Sequence, residues 1–309
     1  MHPLNHRRPA RATASRLALA LGSVIALAAT GPAALAAPVI GLAGSNTLVG
    51  FDSTAPSAVT STLSVTGLDG EALRGIDVRP SNGQLYALGQ SGGLFTIDTA
   101  SGAATRVAGP GVPLGGGSPD VGVAFNPVPD AIRVVTATDL NLRVNPTTGV
   151  TVTDGTLAYA PGDANAGTNP AVTAVAYTNQ VPGTVTATML YGIDAATGSL
   201  VLQNPPNNGT LATIGSLGLN FLASGVGFDI DGLSGQALAS LTTATGANGL
   251  YSINLGTGAA SFLGGFGLAT VSDIAFGRIG PVAVPEPASL ALFGMGLLGM
   301  AIARQRRRA

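Results

Sequence analysis

The stretch DLNLRVNP (139–146) places Asp139, Asn141 and Arg143 at alternate positions. In an extended strand alternate side chains share a face, so this run presents an acid, an amide and a cation together. Arg133 lies one strand earlier, and it and Arg143 are two of only six arginines between residues 37 and 280. On a groove wall the two guanidiniums could grip a carboxylate or a sugar oxygen through paired N–H donors. On an open face the same residues form a solvated cross-strand ion pair. The loop PGDANAGTNP (161–170) alternates Asp163, Asn165 and Asn169, as an oxygen-donor calcium loop does. It holds one Asp and no closing bidentate Glu, so it reads chiefly as a rigid connection. In GFDIDGLSG (227–235), Asp229 and Asp231 stand on one side of a strand end, where two carboxylates cap a turn or hold a cation. Calcium is the one metal these residues could take, and nothing in the sequence requires a cofactor.

Other chemistries are removed by composition. Both histidines, His2 and His6, precede the first apolar run, and the chain has no Cys or Trp. Residues 37–280 therefore cannot assemble a Cys/His zinc site, a Ser-His-Asp triad or a thiol nucleophile. They carry six arginines, no lysine, thirteen aspartates and the single Glu71, a net charge of 6 − 14 = −8. Nucleic-acid binding needs a positive face, so nucleic acid is not an expected partner. A glycosidase needs two facing carboxylates, and no such pair is nominated by spacing. Acids carried on separate repeats escape that test, so an enzyme remains the alternative to a non-catalytic protein.

The two ends are built differently from the middle. RRPARATASRLALALGSVIALAATGPAALA has a basic start, an apolar run from Leu17 to Ala29 and the small-residue triplet Ala34-Leu35-Ala36. That is the layout of a signal peptide over 1–36, cut after Ala36. At the far end, 288–303 is an apolar run of sixteen residues followed by RQRRRA. As a helix it measures about 24 Å, and flanking arginines can snorkel to complete a short transmembrane span. Pro285, Glu286 and Pro287 stand just before it. This order of parts, over 284–309, resembles the PEP-CTERM sorting signal of Gram-negative bacteria. The resemblance implies an exosortase-type enzyme as partner and transient insertion of 288–303 in the inner membrane. It also implies delivery to the cell envelope or an extracellular matrix, in the company of biofilm polysaccharide.

The elements that must position the candidate residues come from a repeat. A short apolar motif returns five times: GIDV (75–78), GVAF (122–125), AVAY (174–177), GVGF (225–228) and DIAF (273–276). Turn clusters and period-2 stretches follow the first four, which is strand patterning. In step with them run DTASG (98–102), NPTTG (145–149), DAATG (194–198) and NLGTG (254–258), each with Asp or Asn first and Gly fifth. The Asx side chain accepts backbone N–H bonds and Gly takes positive φ, so these are turn formers. Four strands per repeat of about 50 residues is the size of a propeller blade. The segment 39–68 supplies outer strands without an inner one, and SDIAFGRIG (272–280) supplies an inner strand alone. Together they complete a fifth blade, predicting an all-β, five-bladed propeller over 37–283 whose last blade is closed by N- and C-terminal strands. A pair of β-sandwiches is the other architecture such strands allow.

The stretches LRGIDVRPSNGQLYALGQSGGLFTIDTASGAATRVAG, DVGVAFNPVPDAIRVVTATDLNLRVNPTTG and YAPGDANAGTNPAVTAVAYTN resemble the bacterial family known as domain of unknown function 4394. The resemblance covers most of 40–278, implies one repeat domain and brings no activity with it. The expected role is an exported, non-catalytic propeller of the cell surface or extracellular polysaccharide matrix that binds glycan or a matrix protein. The alternative is an envelope polysaccharide hydrolase or lyase using Asp residues, and calcium, at the propeller channel.

Overall fold

Short runs of β-branched and aromatic residues, broken repeatedly by Gly, Asn and Asp, satisfy their backbones by pairing in tight hairpins. The computed structural model describes residues 36–116, 120–267 and 270–280. They form five small sheets, each a meander of antiparallel strands. Blade 2 comprises Leu73–Val78, Leu85–Gly89, Leu94–Ile97 and Ala104–Arg106 from inside to outside. Blade 3 comprises Val121–Asn126, Ala131–Thr136, Asn141–Val144 and Thr151–Thr153. Blade 4 comprises Val172–Tyr177, Leu190–Asp194, Ser199–Gln203 and Thr210–Ser216, with Ala158–Tyr159 added in parallel at its rim. Blade 5 comprises Gly227–Ile230, Ala237–Thr242, Asn248–Ile253 and Ala260–Gly265.

Blade 1 joins the two ends of the domain. Its outer strands are Pro38–Ala43, Thr47–Asp52 and Ala55–Ser64, and its inner strand is Val271–Phe276. Pro38–Ala43 pairs antiparallel with that inner strand, Val39 facing Phe276 and Gly41 facing Ile274. The five inner strands pack against one another in blade order and return to the first. The fold is therefore the expected five-bladed propeller with its last blade closed from both ends, not a pair of sandwiches.

One inner strand lies two residues from its expected place. Blade 5 begins at Gly227, so its motif is GFDI (227–230) rather than GVGF (225–228). A slip of two residues keeps every side chain on its own face, so alternation does not reveal it. The Asx–Gly turns form as expected. Asp98, Asn145, Asp194 and Asn254 each accept backbone N–H bonds from the residues that follow, and Gly102, Gly149, Gly198 and Gly258 have φ between 63° and 81°.

Both faces of each blade are covered by neighbouring blades, which is why inner strands are mostly apolar instead of alternating. The core divides into five clusters, one per seam. Tyr86 and Leu88 of blade 2 meet Phe125 and Val134 of blade 3, for example, and Ile193 and Leu200 of blade 4 meet Phe228 and Leu241 of blade 5. Each fully buried Leu, Ile or Phe contributes about 1.5–3 kcal/mol relative to exposure.

The inner strands approach so closely that some positions admit no side chain. A Cβ on Gly227 would lie 2.6 Å from the Asp273 Cα, and one on Gly122 would lie 2.8 Å from the Ala174 Cα. Gly227→Ala is expected to cost about 1–3 kcal/mol and lower Tm by roughly 2–10 °C, read by thermal circular dichroism. Gly256→Ala, in an open turn, is the control that leaves Tm nearly unchanged.

Candidate functional site

Each inner strand pairs on one side only, so its channel-facing N–H groups are those of a sheet edge. Three buried aspartates cap that edge. In blade 1, the Asp273 Oδ1 accepts from its own Ile274 N (2.9 Å) and its Oδ2 from Ile76 N of blade 2 (2.7 Å). In blade 2, Asp77 accepts from Val78 N (2.7 Å) and from Phe125 N of blade 3 (2.5 Å). In blade 5, Asp229 accepts from Ile230 N (2.7 Å) and from Phe276 N of blade 1 (2.7 Å). Every link runs in the same rotational sense, using both oxygens of each acid. Blades 1, 3 and 4 carry Ala275, Ala124 and Ala176 at the position of Asp77, and Asp273 stands two residues earlier in its strand, at the position of Gly75.

Burial raises all three carboxyls above the ordinary value, against the two N–H bonds that favour ionisation. Asp229 is pushed up to about 7. Asp77 is raised well above the ordinary value by burial and by the charges of Asp229 and Asp273, and Asp273 is raised by burial and by the charge of Asp229. Asp77 and Asp229 also line a cavity of about 450 Å³ at the channel mouth where the inner strands end, with Arg79, Gln180, Pro182 and Phe276. Arg79 is held there by Asp130 of blade 3, through Nε to Oδ1 (2.9 Å) and Nη2 to Oδ2 (2.6 Å). That pairing holds the Asp130 carboxyl below the ordinary range.

The structure brings Arg133, Asn141 and Arg143 together, as neighbours on two paired strands. Arg133 is 1% exposed. Its Nη1 donates to the Asn141 Oδ1 and the Asp154 Oδ2, both at 2.7 Å, and its Nη2 donates to the Asn207 Oδ1 of blade 4 at 2.7 Å. Arg143 donates to both oxygens of Asp154 (2.7 and 2.9 Å). Burial alone would raise the Asp154 carboxyl, but these two arginines hold it below the ordinary range. The cluster thus spans the seam between blades 3 and 4, one of the seams without an inner aspartate. Asp139 stands apart, at φ 67° in the turn before the strand that begins at Asn141. Burial raises its carboxyl, and a hydrogen bond from the Asn169 side chain opposes the rise.

The remaining candidates serve separate places. Asp163 accepts from Thr213 through N (2.7 Å) and Oγ1 (2.6 Å) and from Asn165 N (2.9 Å), and the Asn165 amide also reaches Thr213. Asp229 is in the channel, whereas Asp231 closes the following turn by accepting from Ser234 N and Oγ. Among the described residues no group of three or more His, Cys, Asp or Glu side chains is placed to hold a metal ion. Ala36 is exposed. Ala34, Pro285, Glu286, Pro287 and the apolar run 288–303 lie outside the described residues, among which no helix is long and apolar enough to cross a membrane. Of the three inner-strand acids, Asp77 and Asp273 were missed from sequence. The signal available for the first was the recurrence of Gly-x-Asp in GID (75–77) and GFD (227–229).

The family described as "Domain of unknown function (DUF4394)" matches residues 47–275. The chain belongs to that family. Its last part, 283–308, matches the PEP-CTERM protein-sorting motif, which makes this DUF4394 chain an exported protein and a substrate for recognition by an exosortase-type enzyme. No curated protein matches it. Among solved structures, a structural genomics protein of unknown function from Bacteroides thetaiotaomicron VPI-5482 is 18% identical, with 79% of this chain and 65% of that one covered and a TM-score of 0.48. The chain thus spans just under two thirds of that protein. A nidogen/laminin complex is 11% identical over 79% of this chain and 99% of the other, with a TM-score of 0.47. Myxococcus xanthus glutaminyl cyclase is 15% identical over 63% and 77%, with a TM-score of 0.41.

The DUF4394 channel carries a pH signature. An acid whose folded value lies above its unfolded one keeps its proton longer in the folded state, so stability is full below the ordinary 3.8 and falls as pH rises through about 7. Tm is expected to be higher at pH 5 than at pH 8, with Asp229→Asn narrowing the difference; a flat or reversed profile contradicts the sign. Arg133→Met, which strips Asp154, Asn141 and Asn207 of a buried partner, is expected to cost about 3 kcal/mol. Urea unfolding measures that loss.

Proposed function

We propose that this exported propeller is a non-catalytic component of the cell surface or extracellular polysaccharide matrix of a Gram-negative bacterium, where it binds glycan or a matrix protein. The supporting observation is how the channel acids are used. Asp77, Asp229 and Asp273 each commit both oxygens to backbone N–H groups, and Asp130 beside them is committed to Arg79. An acid fixed between two N–H donors is poorly placed to exchange protons with a substrate. In this reading 1–36 is removed on export, 284–309 is the address recognised by the sorting enzyme, and no metal is needed. The charge of −8 over 37–280 disfavours nucleic acid and strongly anionic polymers alike.

One observation favours a polysaccharide hydrolase or lyase as the second reading. Asp77 and Asp229 line the same cavity, and an acid near 7 can hold and give a proton at neutral pH. A glycan array paired with a reducing-end assay separates the two. Binding without release of new sugar ends, unchanged in Asp229→Asn, is the expected result. Release of sugar ends that Asp229→Asn lowers by about 10²-fold or more would establish the enzyme instead.

A further inference from the structure

The opposite mouth of the channel, where the inner strands begin, has a different construction. One residue before the position of Gly75, Gly122, Ala174, Gly227 and Asp273, the five strands carry Arg74, Val121, Thr173, Val226 and Ser272. All five line a single cavity of about 230 Å³. In blades 1, 2 and 4 the hairpin register skips this residue. Leu73 faces Gly89 while Gly75 faces Leu88, Val172 faces Asp194 while Ala174 faces Ile193, and Val271 faces Ala43 while Asp273 faces Leu42. The skipped residues are Arg74, Thr173 and Ser272, which are the three polar members of the ring. A bulge re-aims the side chain it carries, and here one irregularity at one level presents three polar groups to one opening.

Ser272 is spent on the fold, its Oγ donating to the Leu42 carbonyl at 3.2 Å, whereas Arg74 and Thr173 keep unused capacity. Thr173 is 1% exposed, and its hydroxyl is buried without a hydrogen-bond partner among the described residues. A buried hydroxyl so placed costs stability unless something else satisfies it. Arg74 makes one side-chain bond, from Nη2 to the Gln90 Oε1 at 3.0 Å. Asp120 joins the lining from blade 3. Burial raises its carboxyl, and the charge of Arg74 and a hydrogen bond from the Gly225 backbone oppose that. Val121 and Val226 add apolar wall between the polar groups.

We infer that this mouth binds a single neutral sugar ring, with Asp120 accepting from ring hydroxyls, Arg74 donating to them and Thr173 completing the floor. The inference rests on the glycan-binding reading above and names its site. The chemistry of the lining selects the ligand. Arg74 and Asp120 cancel in charge, so no net charge is asked of the ligand, and the domain as a whole repels anions. Hydroxyls, the Gln90 amide, a cation and an acid around one opening match a molecule that offers donors and acceptors on adjacent carbons. The two valines suit the C–H face of a pyranose. The volume fits a terminal or single unit rather than a polymer threaded through.

Isothermal titration with the methyl glycosides of glucose, galactose and mannose, and with N-acetylglucosamine, tests the site on the purified protein. At least one is expected to bind in the millimolar range, about tenfold more weakly in Asp120→Asn and about threefold more weakly in Thr173→Val. Thr173→Val is also expected to raise Tm, because it removes an unsatisfied buried hydroxyl; a purely structural Thr173 would give a lower Tm. Absence of binding by all four sugars, or affinity unchanged in both variants, overturns the site. If the array shows glycan binding that survives both variants, the site is wrong and the glycan-binding function stands. A blank array together with silent titrations overturns both.

Discussion

An inner propeller strand has no neighbour on its channel side, and each N–H it turns there needs an acceptor or loses the free energy of a buried, unmade hydrogen bond. Water satisfies such groups in a wide channel. Here the inner strands approach to the point where Gly122 and Gly227 cannot carry a Cβ, so the protein supplies its own acceptors. Three aspartates provide six carboxylate oxygens to six N–H groups, and three of those bonds cross from one blade to the next. The same bonds that complete the edge therefore hold the ring. They also place ionisable groups where burial disfavours their charge, which ties the channel to pH.

The seams differ in how they are secured. Seams 1–2, 2–3 and 5–1 have an inner aspartate, and seam 2–3 adds the Arg79–Asp130 pair near the rim of the cavity. Seam 3–4 has Gly122 against Ala174 inside and the Arg133–Asp154–Asn207 cluster farther out. Seam 4–5 relies on apolar contact, where Ile193, Leu200, Phe228 and Leu241 are fully buried or nearly so. With no cysteine in the chain, closure of blade 1 by Pro38–Ala43 and Val271–Phe276 is the non-covalent equivalent of a clasp. The two channel mouths divide along the same logic. The mouth where strands end is occupied by the Arg79–Asp130 pair and the capped carboxyls of Asp77 and Asp229, whereas the mouth where strands begin leaves the Thr173 hydroxyl unpartnered among the described residues.

What could be read from the chain was what is local. The Asp98–Gly102 and Asn254–Gly258 turns bond within three residues, so spacing alone identifies them, and five copies of one motif suffice for the ring and its closure. The alternation of Asn141 and Arg143 gave their common face, but Asp154 and Asn207, which decide what that face does, are 21 and 74 residues from Arg133. The inner aspartates were harder still. Asp77 meets an N–H 48 residues away and Asp273 one 197 away. A lone Asp in an apolar strand resembles a break in the pattern until its partner strand is in place. Asp229 drew notice only because Asp231 follows it, and the two acids do unrelated work.

Amide hydrogen exchange at Ile76, Phe125 and Phe276, followed by NMR in the native protein, reports most directly on the carboxylate links between blades. These three N–H groups have no strand partner, so their protection depends on Asp273, Asp77 and Asp229. The account predicts exchange slowed by several orders of magnitude, comparable to paired core amides. Exchange as fast as that of exposed loop amides at all three would contradict it.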